Sequence, residues 1–298
     1  MSKLSKVKKA IIVLIDEIKR PKIVKEYIRD NECPVTRTGM FEKKVVLVTG
    51  ASSGIGYAAA RQYLLSGAKV IITGRNSDKL NAAYESLKKI GEVKQLEWDI
   101  EDCRLIDSKV NEANSLFGSI DILVNNAGVN KKRSGENFNG WKTVTFDDWD
   151  YVLDINLKAT YFIIQAMANM WISQGCQVDF CKKHIVNVVS GSAHKPAIAP
   201  YGISKWGVRG LTEGFGKKLA PYNIIVNGIS PGPSCTDMGN MSDSEVRLSN
   251  TSIPTGRMST PDEIANSILY LSSEYCDSVV GEVLRKDGGF SLTTMGEC

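Results

Sequence analysis

The chain has 298 residues, of which 43% are hydrophobic and 23% are charged, and its formal net charge is +4. This composition is ordinary for a soluble globular protein with one large domain or two small ones. Nine basic but only four acidic residues fall within residues 1–30, so the remainder is nearly neutral, which excludes nucleic acid as a partner on electrostatic grounds.

The first 40 residues are predicted to form a basic helical extension that ends in a linker. Apolar residues recur there at alternating spacings of three and four, which puts them on one stripe of a helix: Leu4, Val7, Ile11, Leu14 and Ile18. Pro34 and Gly39 mark the linker to a catalytic domain of residues 41–298. We expect this helix to dock on its own domain or a neighbouring subunit; the alternative is a basic amphipathic helix on a membrane surface.

Cysteine usage and hydropathy favour a cytoplasmic protein. The seven cysteines are odd in number and scattered, and no secretory signal precedes them, so reduced thiols are expected. The apolar run from Ala10 to Ile15 is too short for an integral membrane segment. The spacing Cys176-x4-Cys181-x2-His184 imitates that of metal ligands but lacks a clear fourth ligand, so no metal site is predicted.

From Lys43 onward, apolar segments alternate with segments of helical period. Strands are predicted at VVLVTG, KVIITG, QLEWDI, DILVNNAG, HIVNVVS, NIIVNGISPG and VGEVLRKDGG. Helices are predicted at GYAAARQYLLSG, SDKLNAAYESLKKIG, DDWDYVLDINLKATYFIIQAMANMW, SKWGVRGLTEGFGKKLA and PDEIANSILYLSS. This alternation, with strands rich in β-branched residues, is typical of an α/β fold of Rossmann type: a doubly wound parallel sheet with helices on both faces.

The first predicted strand ends in TGASSGIG, which places Gly50, Gly54 and Gly56 directly before the first helix. Glycine permits a tight turn and a close approach of the backbone to a pyrophosphate, which binds at the N-terminus of the following helix. The position of this turn between strand and helix predicts a dinucleotide site.

Further motifs follow in a fixed order: Asp99 in LEWDI, NNAG from Asn125 to Gly128, LDINL around Asn156, VNVVS ending at Ser190, PYGISK with Tyr201 and Lys205, PGPSCTDM, IPTGRMSTPDEIA and a closing DGG. With the glycine turn, they resemble the classical short-chain dehydrogenase/reductase family over about residues 42–292. The resemblance implies an NAD(P) cofactor and a catalytic tetrad of Asn156, Ser190, Tyr201 and Lys205.

The resemblance also implies contacts with the cofactor from the ends of successive strands: Gly50, Ser52, Ser53, Gly54, Ile55, Gly56, Arg75, Asn76, Asp99, Ile100, Asn126, Ala127, Gly128, Tyr201, Lys205, Pro231, Gly232 and Thr236. The expected substrate contacts are Ser190, Ser192, His194, Tyr201 and Met238. Ser192 is a possible substitute for Ser190, and His194 lies in the loop between Ser190 and Tyr201.

Each tetrad residue has an expected role. Tyr201 would act as the acid or base, and a lysine ammonium one helical turn away is expected to lower its pKa from about 10. The resemblance implies that Ser190 stabilises charge on the substrate oxygen. It also implies that Lys205 holds the nicotinamide ribose and that Asn156 holds a water linking Lys205 to solvent. The alternatives are an ordinary serine at a strand end and an asparagine with a purely local bond.

Tyr201 and Lys205 form a Y-x-x-x-K pair, and Tyr84 and Lys88 form a second pair with the same spacing. These two residues share a helix face by the same spacing. No serine at the end of a strand precedes them, so we interpret them as a solvated helix pair.

The end of the second strand, VIITGRN, indicates the cofactor. An acidic residue there would bind the ribose 2′-hydroxyl of NAD, whereas arginine accommodates the 2′-phosphate of NADP. Gly74 stands at the position of the acid and Arg75 follows, so NADP(H) is predicted. NAD(H) stays the alternative because Ser53 occupies a position where many NADP-preferring relatives carry a basic residue.

These features predict an NADP(H)-dependent oxidoreductase that interconverts a secondary alcohol and a ketone. Residues 129–145 and the lid at 237–250 are polar, which favours a polar substrate such as a keto-sugar, a hydroxy or keto compound, or a 3-oxoacyl thioester. The helix YFIIQAMANMW is apolar on several sides, as expected at the interface of a homotetramer or homodimer. The alternative function is a non-catalytic NAD(P)-binding sensor or scaffold on the same fold.

Overall fold

The computed structural model of the protein describes residues 39–138, 140–176, 182–234, 250 and 252–292. Within these residues the chain alternates between strands and helices. The strands are β1 Val45–Val48, β2 Lys69–Gly74, β3 Val93–Glu97, β4 Ile122–Asn125, β5 Lys183–Val188, β6 Ile224–Pro231 and β7 Val283–Lys286. The α-helices are α1 Gly54–Leu65, α2 Ser77–Leu87, α3 Ile106–Phe117, α4 Phe146–Leu153, α5 Ala159–Ser173, α6 Pro200–Leu219 and α7 Pro261–Leu271.

The seven strands form one parallel sheet in the order β3-β2-β1-β4-β5-β6-β7. The predicted doubly wound α/β fold is thereby confirmed. The order runs outward in one direction from β1 and in the other from β4. The connections that follow these two strands therefore diverge, and a crevice opens at their carboxyl ends, where ligands bind in folds of this class.

Alternation along the strands supplies a hydrophobic core on each face of the sheet. In β1, Val46 and Val48 point to one face and Val45 and Leu47 to the other, and all four are buried. Helices α1 and α7 cover the first face, whereas α3 and α5 cover the second. Burial on both faces explains why the strands are continuous apolar runs.

The helical predictions require three corrections. Helix α3 was not predicted, although its buried residues Ile106, Val110 and Ala113 have helical spacing; its other positions are mostly polar. The long helix predicted over 147–171 is divided by one π-helical turn, Asp154–Lys158, in which the Ala159 amide bonds to the Asp154 carbonyl. Helix α6 begins at Pro200, before the predicted SKWG start, because proline suits the first helical turn.

The predicted N-terminal extension lies, except for residues 39 and 40, outside the described residues, as does most of the predicted lid. In the described part of the chain, no helix has both the length and the hydropathy needed to cross a membrane.

Candidate active site

A cleft of about 500 Å³ lies at the carboxyl ends of the strands. It collects most of the residues predicted for the cofactor and the chemistry: Gly50, Ser52, Ser53, Gly54, Ile55, Arg75, Asn76, Asp99, Ile100, Asn126, Ala127, Gly128, Ser190, Tyr201, Lys205, Pro231 and Gly232. Gly56, Asn156, Ser192 and His194 do not line it, and Thr236 and Met238 lie outside the described residues. The predicted set is thus brought together from the ends of all strands except β7.

The glycine turn depends on glycine at two kinds of position. Gly50 and Gly54 have φ angles of +64° and +58°, which an L side chain rarely adopts. A Cβ on Gly50 would also lie 2.8 Å from the Ala127 Cα. Gly56 is needed for packing, because a Cβ there would collide with the Gly50 carbonyl oxygen at 2.6 Å.

The turn exposes the N-terminus of α1 to the cleft. The Ser53 side chain does not cap this helix, so the first backbone amides and the helix dipole favour an anionic ligand there. The residues present therefore fit the pyrophosphate of a nicotinamide dinucleotide.

Thr49 connects the glycine turn to the NNAG segment, and the sequence analysis did not include it in the site. Its hydroxyl oxygen accepts hydrogen bonds from the amides of Asn126 and Ala127 at 3.0 and 3.1 Å. The Asn126 side chain donates in return to the carbonyl oxygens of Thr49 and Gly50 at 3.0 and 2.9 Å. This closed set of bonds fixes the two loops that face each other across the crevice.

Tyr201 and Lys205 lie one turn apart on α6, at the end of the cleft formed by β5. The Lys205 Nζ lies 5.8 Å from the centroid of the Tyr201 ring and donates a 2.9 Å hydrogen bond to the Val188 carbonyl. The Ser190 side chain lies near the Tyr201 hydroxyl and lines the same cleft. Ser190 Oγ also accepts a 3.1 Å bond from the Ser192 amide, which fixes its orientation.

Burial determines the titration of this pair. Burial raises the pKa of Tyr201, and the neighbouring Ser190 side chain opposes that rise. Burial lowers the pKa of Lys205 to about 8, because the ammonium ion loses hydration. The Tyr201 pKa is therefore shifted in the direction opposite to the lowering expected from Lys205, because desolvation is the largest cause of the shift.

Asn156 lies in the π-helical turn and connects two parts of the site. Its Oδ1 accepts a 2.8 Å bond from the Val129 amide, and its Nδ2 donates to the Val129 carbonyl at 2.9 Å and to Ser204 Oγ at 3.1 Å. Ser204 in turn donates to the Tyr201 carbonyl at 2.7 Å. The side chain thus joins the segment after β4 to α6.

His194, a predicted substrate contact, does not line this cleft. Its Nδ1 lies 3.3 Å from an Arg209 nitrogen. Arg209 also pairs with Glu213 on the next turn of α6 at 3.1 Å. His194 therefore joins a polar cluster beside α6.

The other Y-x-x-x-K pair lies on α2. The Lys88 Nζ lies 5.5 Å from the centroid of the Tyr84 ring and forms a 2.6 Å ion pair with Glu85. Neither residue lines the cleft, in agreement with its interpretation as a helix pair.

The corner of the cleft at the end of β2 carries the residues that would contact the adenine ribose. The Arg75 guanidinium donates a 3.0 Å hydrogen bond to the Tyr151 hydroxyl. Asn76 Oδ1 caps α2 by accepting from the Lys79 amide at 2.9 Å. A Cβ on Gly74 would lie 3.4 Å from Ser52 Oγ, so glycine leaves space beside Ser52 and adds no acidic group to this corner.

Several further residues line the cleft beyond the predicted set: Gly74, Lys79, Trp98, Val129, Ile155, Val188, Val189 and Ser234. Most are chain neighbours of predicted residues, so proximity to a motif could have found them. Lys79 lies on the first turn of α2, four residues after Arg75, and carries the one basic side chain among these further residues.

The residues with metal-like spacing have other partners. Cys176 Sγ lies 3.2 Å from the Tyr222 carbonyl, and His184 Nε2 lies 3.4 Å from an Asp277 carboxylate oxygen. Cys181 is outside the described residues. Within the described ranges, no group of three or more His, Cys, Asp or Glu side chains is arranged to hold a metal ion.

Comparison with known proteins agrees with this geometry. Residues 44–247 match the family model described as short chain dehydrogenase. A 3alpha-hydroxysteroid dehydrogenase of Mediterraneibacter gnavus is 30% identical over 84% of this chain and 97% of its own length. A 3-oxoacyl-[acyl-carrier-protein] reductase of Aquifex aeolicus is 34% identical over 83% of this chain and 96% of its own. A 3-ketoacyl-(acyl-carrier-protein) reductase of Brucella melitensis, solved with NADH, superimposes with a TM-score of 0.74 at 29% identity over 85% of this chain and 100% of that chain.

Proposed function

The chain belongs to the classical short-chain dehydrogenase family and is an oxidoreductase that acts on CH–OH groups, and on that premise we propose that it interconverts a secondary alcohol and a ketone with NADP(H). One observation carries the proposal: the side chains of Ser190, Tyr201 and Lys205 line one wall of the dinucleotide cleft, with the Lys205 ammonium 5.8 Å from the centroid of the Tyr201 ring. The reduced nicotinamide, when bound, supplies the hydride.

Tyr201 and Ser190 divide the chemistry at the carbonyl oxygen. Burial keeps Tyr201 protonated at neutral pH, so in reduction its hydroxyl donates the proton that the oxygen gains as the hydride reaches carbon. The Ser190 hydroxyl stabilises the charge that develops on that oxygen. In the oxidative direction, Tyr201 accepts the proton from the alcohol, and a positive charge nearby favours its phenolate.

Lys205 supplies that charge and holds the sugar beside the reacting ring. Its only described hydrogen-bond acceptor is the Val188 carbonyl, which leaves two ammonium protons for the ribose hydroxyls of the nicotinamide nucleotide. Asn156 positions the site through Val129 and Ser204 instead of contacting the reactants.

The preference for NADP(H) rests on charge at the end of β2. Gly74 introduces no carboxylate that would repel a 2′-phosphate, and Arg75 beside it lines the cleft. The Brucella melitensis relative was solved with NADH, so relatives of this fold accept the other cofactor, and the corner sequence of each chain decides between them.

For the substrate, we propose a polar ketone or hydroxy compound: a keto-sugar, another hydroxy or keto compound, or a 3-oxoacyl thioester. The polar loop that follows β4 supports this class, and the two acyl-carrier reductases among the similar proteins support the thioester. The hydroxysteroid dehydrogenase makes a steroid the natural competitor in the test.

We also propose a homotetramer or homodimer that pairs α5 and α6 of neighbouring copies. Tyr161 and Phe162 on α5 leave 38% and 40% of their surface exposed. The Tyr161 ring lies 5.2 Å from both the Phe162 ring and the Phe215 ring of α6. Exposed aromatic surface of this kind is typical of interfaces. Light scattering of the wild type and of a Tyr161→Glu, Phe162→Glu variant tests the pairing, which predicts smaller particles for the variant.

The decisive experiment follows NADPH and NADH oxidation with a panel of keto-sugars, keto acids, acetoacetyl thioesters and a 3-ketosteroid. Turnover of one polar class with NADPH, lost in Tyr201→Phe, supports the proposal. A preference for NADH contradicts the cofactor assignment, and turnover of the steroid alone contradicts the substrate class.

A further inference from the structure

Lys79 lines the cleft but takes no part in the proposed reaction. It is the third residue of α2, directly after the turn that carries Arg75, and it lines the same corner of the cleft as Ser52 and Gly74. The bond from its own amide to Asn76 Oδ1, at 2.9 Å, holds the first turn of α2 against this corner. The position of Lys79 is therefore set by the local fold.

Arg75 and Lys79 differ in the protein groups that surround their positive charges. Arg75 donates to the Tyr151 hydroxyl and lies in the field of Asp99 and Glu101. The Lys79 ammonium, in contrast, forms no hydrogen bond or ion pair with any described residue. Asp78, its neighbour in sequence, points about 100° away around the helix and does not face it. The corner thus holds a cation without a protein counter-charge.

We infer that Lys79 binds the 2′-phosphate of NADP(H) as a second cation beside Arg75. The inference rests on the cofactor preference proposed above. A phosphate monoester carries nearly two negative charges at neutral pH and three acceptor oxygens. The planar Arg75 fork engages two of these oxygens, and a lysine ammonium, as a compact point charge, suits a third. Lys79 would replace the basic residue that Ser53 does not supply in the glycine turn.

Binding of adenine nucleotides tests the inference without knowledge of the substrate. We would measure, by calorimetry, the Kd of 2′,5′-ADP and of 5′-ADP for the wild type, Lys79→Gln, Lys79→Arg, Arg75→Gln and Lys88→Gln. Lys88 is the matched control because it directly follows the same helix as its C-cap residue, pairs with Glu85 and lies outside the cleft.

We expect Lys79→Gln to raise the Kd for 2′,5′-ADP about ten-fold, the effect of one charge-assisted hydrogen bond. The Kd for 5′-ADP should not change. Lys79→Arg should restore most of the affinity, and Lys88→Gln should match the wild type. Suppose instead that Lys79→Gln binds both nucleotides like Lys88→Gln, while Arg75→Gln no longer prefers 2′,5′-ADP to 5′-ADP. The inference about Lys79 is then wrong and the NADP(H) proposal stands. If the wild type binds 2′,5′-ADP no tighter than 5′-ADP, both are wrong.

Discussion

The Arg75 guanidinium donates a 3.0 Å hydrogen bond to the hydroxyl of Tyr151, a buried residue of α4. On the same ring, the guanidinium carbon of Arg133 lies 5.1 Å from the centroid. Arg133 belongs to the segment after β4, and its amide donates to Asp148 at 3.1 Å. Tyr151 therefore connects the corner of the cleft at the end of β2 to the segment that follows β4.

Tyr151→Phe should impair the use of NADPH selectively. The variant keeps the buried ring and loses the acceptor for Arg75, so the guanidinium is no longer held beside the cleft. We expect the KM for NADPH to rise about five-fold, with kcat and the KM for NADH unchanged. Tyr57→Phe, which removes a hydroxyl bonded to Ser86 on the surface, is the control. Equal effects on both cofactors would assign Tyr151 a merely structural role.

Tyr201→Phe should stop the reaction and spare cofactor binding. It removes the proposed proton donor but keeps the ring beside Lys205, so kcat should fall about 10²- to 10⁴-fold, the range of general acid–base catalysis. The Kd for NADPH, measured by fluorescence, should stay within about two-fold of the wild type. Tyr84→Phe on α2 should retain full activity. Residual activity above a tenth of the wild-type rate would contradict the assignment of Tyr201.

Lys205 should set the alkaline limit of the reaction. Burial lowers its pKa to about 8, so the ammonium is present below pH 8 and is lost above it, whereas burial keeps Tyr201 protonated throughout this range. The kcat/KM for NADPH should therefore decline above about pH 8, far below the usual lysine value of about 10.4. A pH–rate profile between pH 6 and 10 is the measurement. Lys205→Arg should be slower but without this decline; a wild-type profile that is flat to pH 10 would contradict the role.

His184 should make the fold sensitive to acid. Burial lowers its pKa from 6.5 to about 4, although Asp277 opposes the shift. The unfolded chain then binds the proton first, so the stability contributed by neutral His184 is complete above pH 6.5 and is lost as the pH falls towards 4. The loss is about 3 kcal/mol in the free energy of unfolding.

Urea unfolding at pH 7, 5.5 and 4 measures this effect. His184→Gln lacks the titrating ring, so its free energy of unfolding should fall less than that of the wild type over the same range. The carboxylates common to both proteins cancel in the difference. Parallel pH dependences of the two proteins would show that His184 does not cause the sensitivity.

Cofactor-binding and catalytic residues were predicted where the signal is local. Tyr201 and Lys205 are four residues apart on one helix, and the glycines of the first turn lie within seven residues, so spacing alone relates them. The order of strands and helices was predictable for the same reason, because strands buried on both faces are continuous apolar runs. Helix α3 escaped prediction because only one narrow stripe of it is buried.

The sequence by itself thus determined the parallel α/β fold, the family, the glycine turn and most of the residues that meet in the cleft. Only the tertiary structure decided that Tyr151 holds Arg75, that Lys79 reaches the same corner, that Asn156 bonds Val129 and Ser204, and that His194 turns towards Arg209. It also decided the direction of the Tyr201 pKa. Except for Lys79, which is four residues from Arg75, these contacts join residues well separated in the chain. Desolvation depends on everything packed around a group, so a short motif does not encode it.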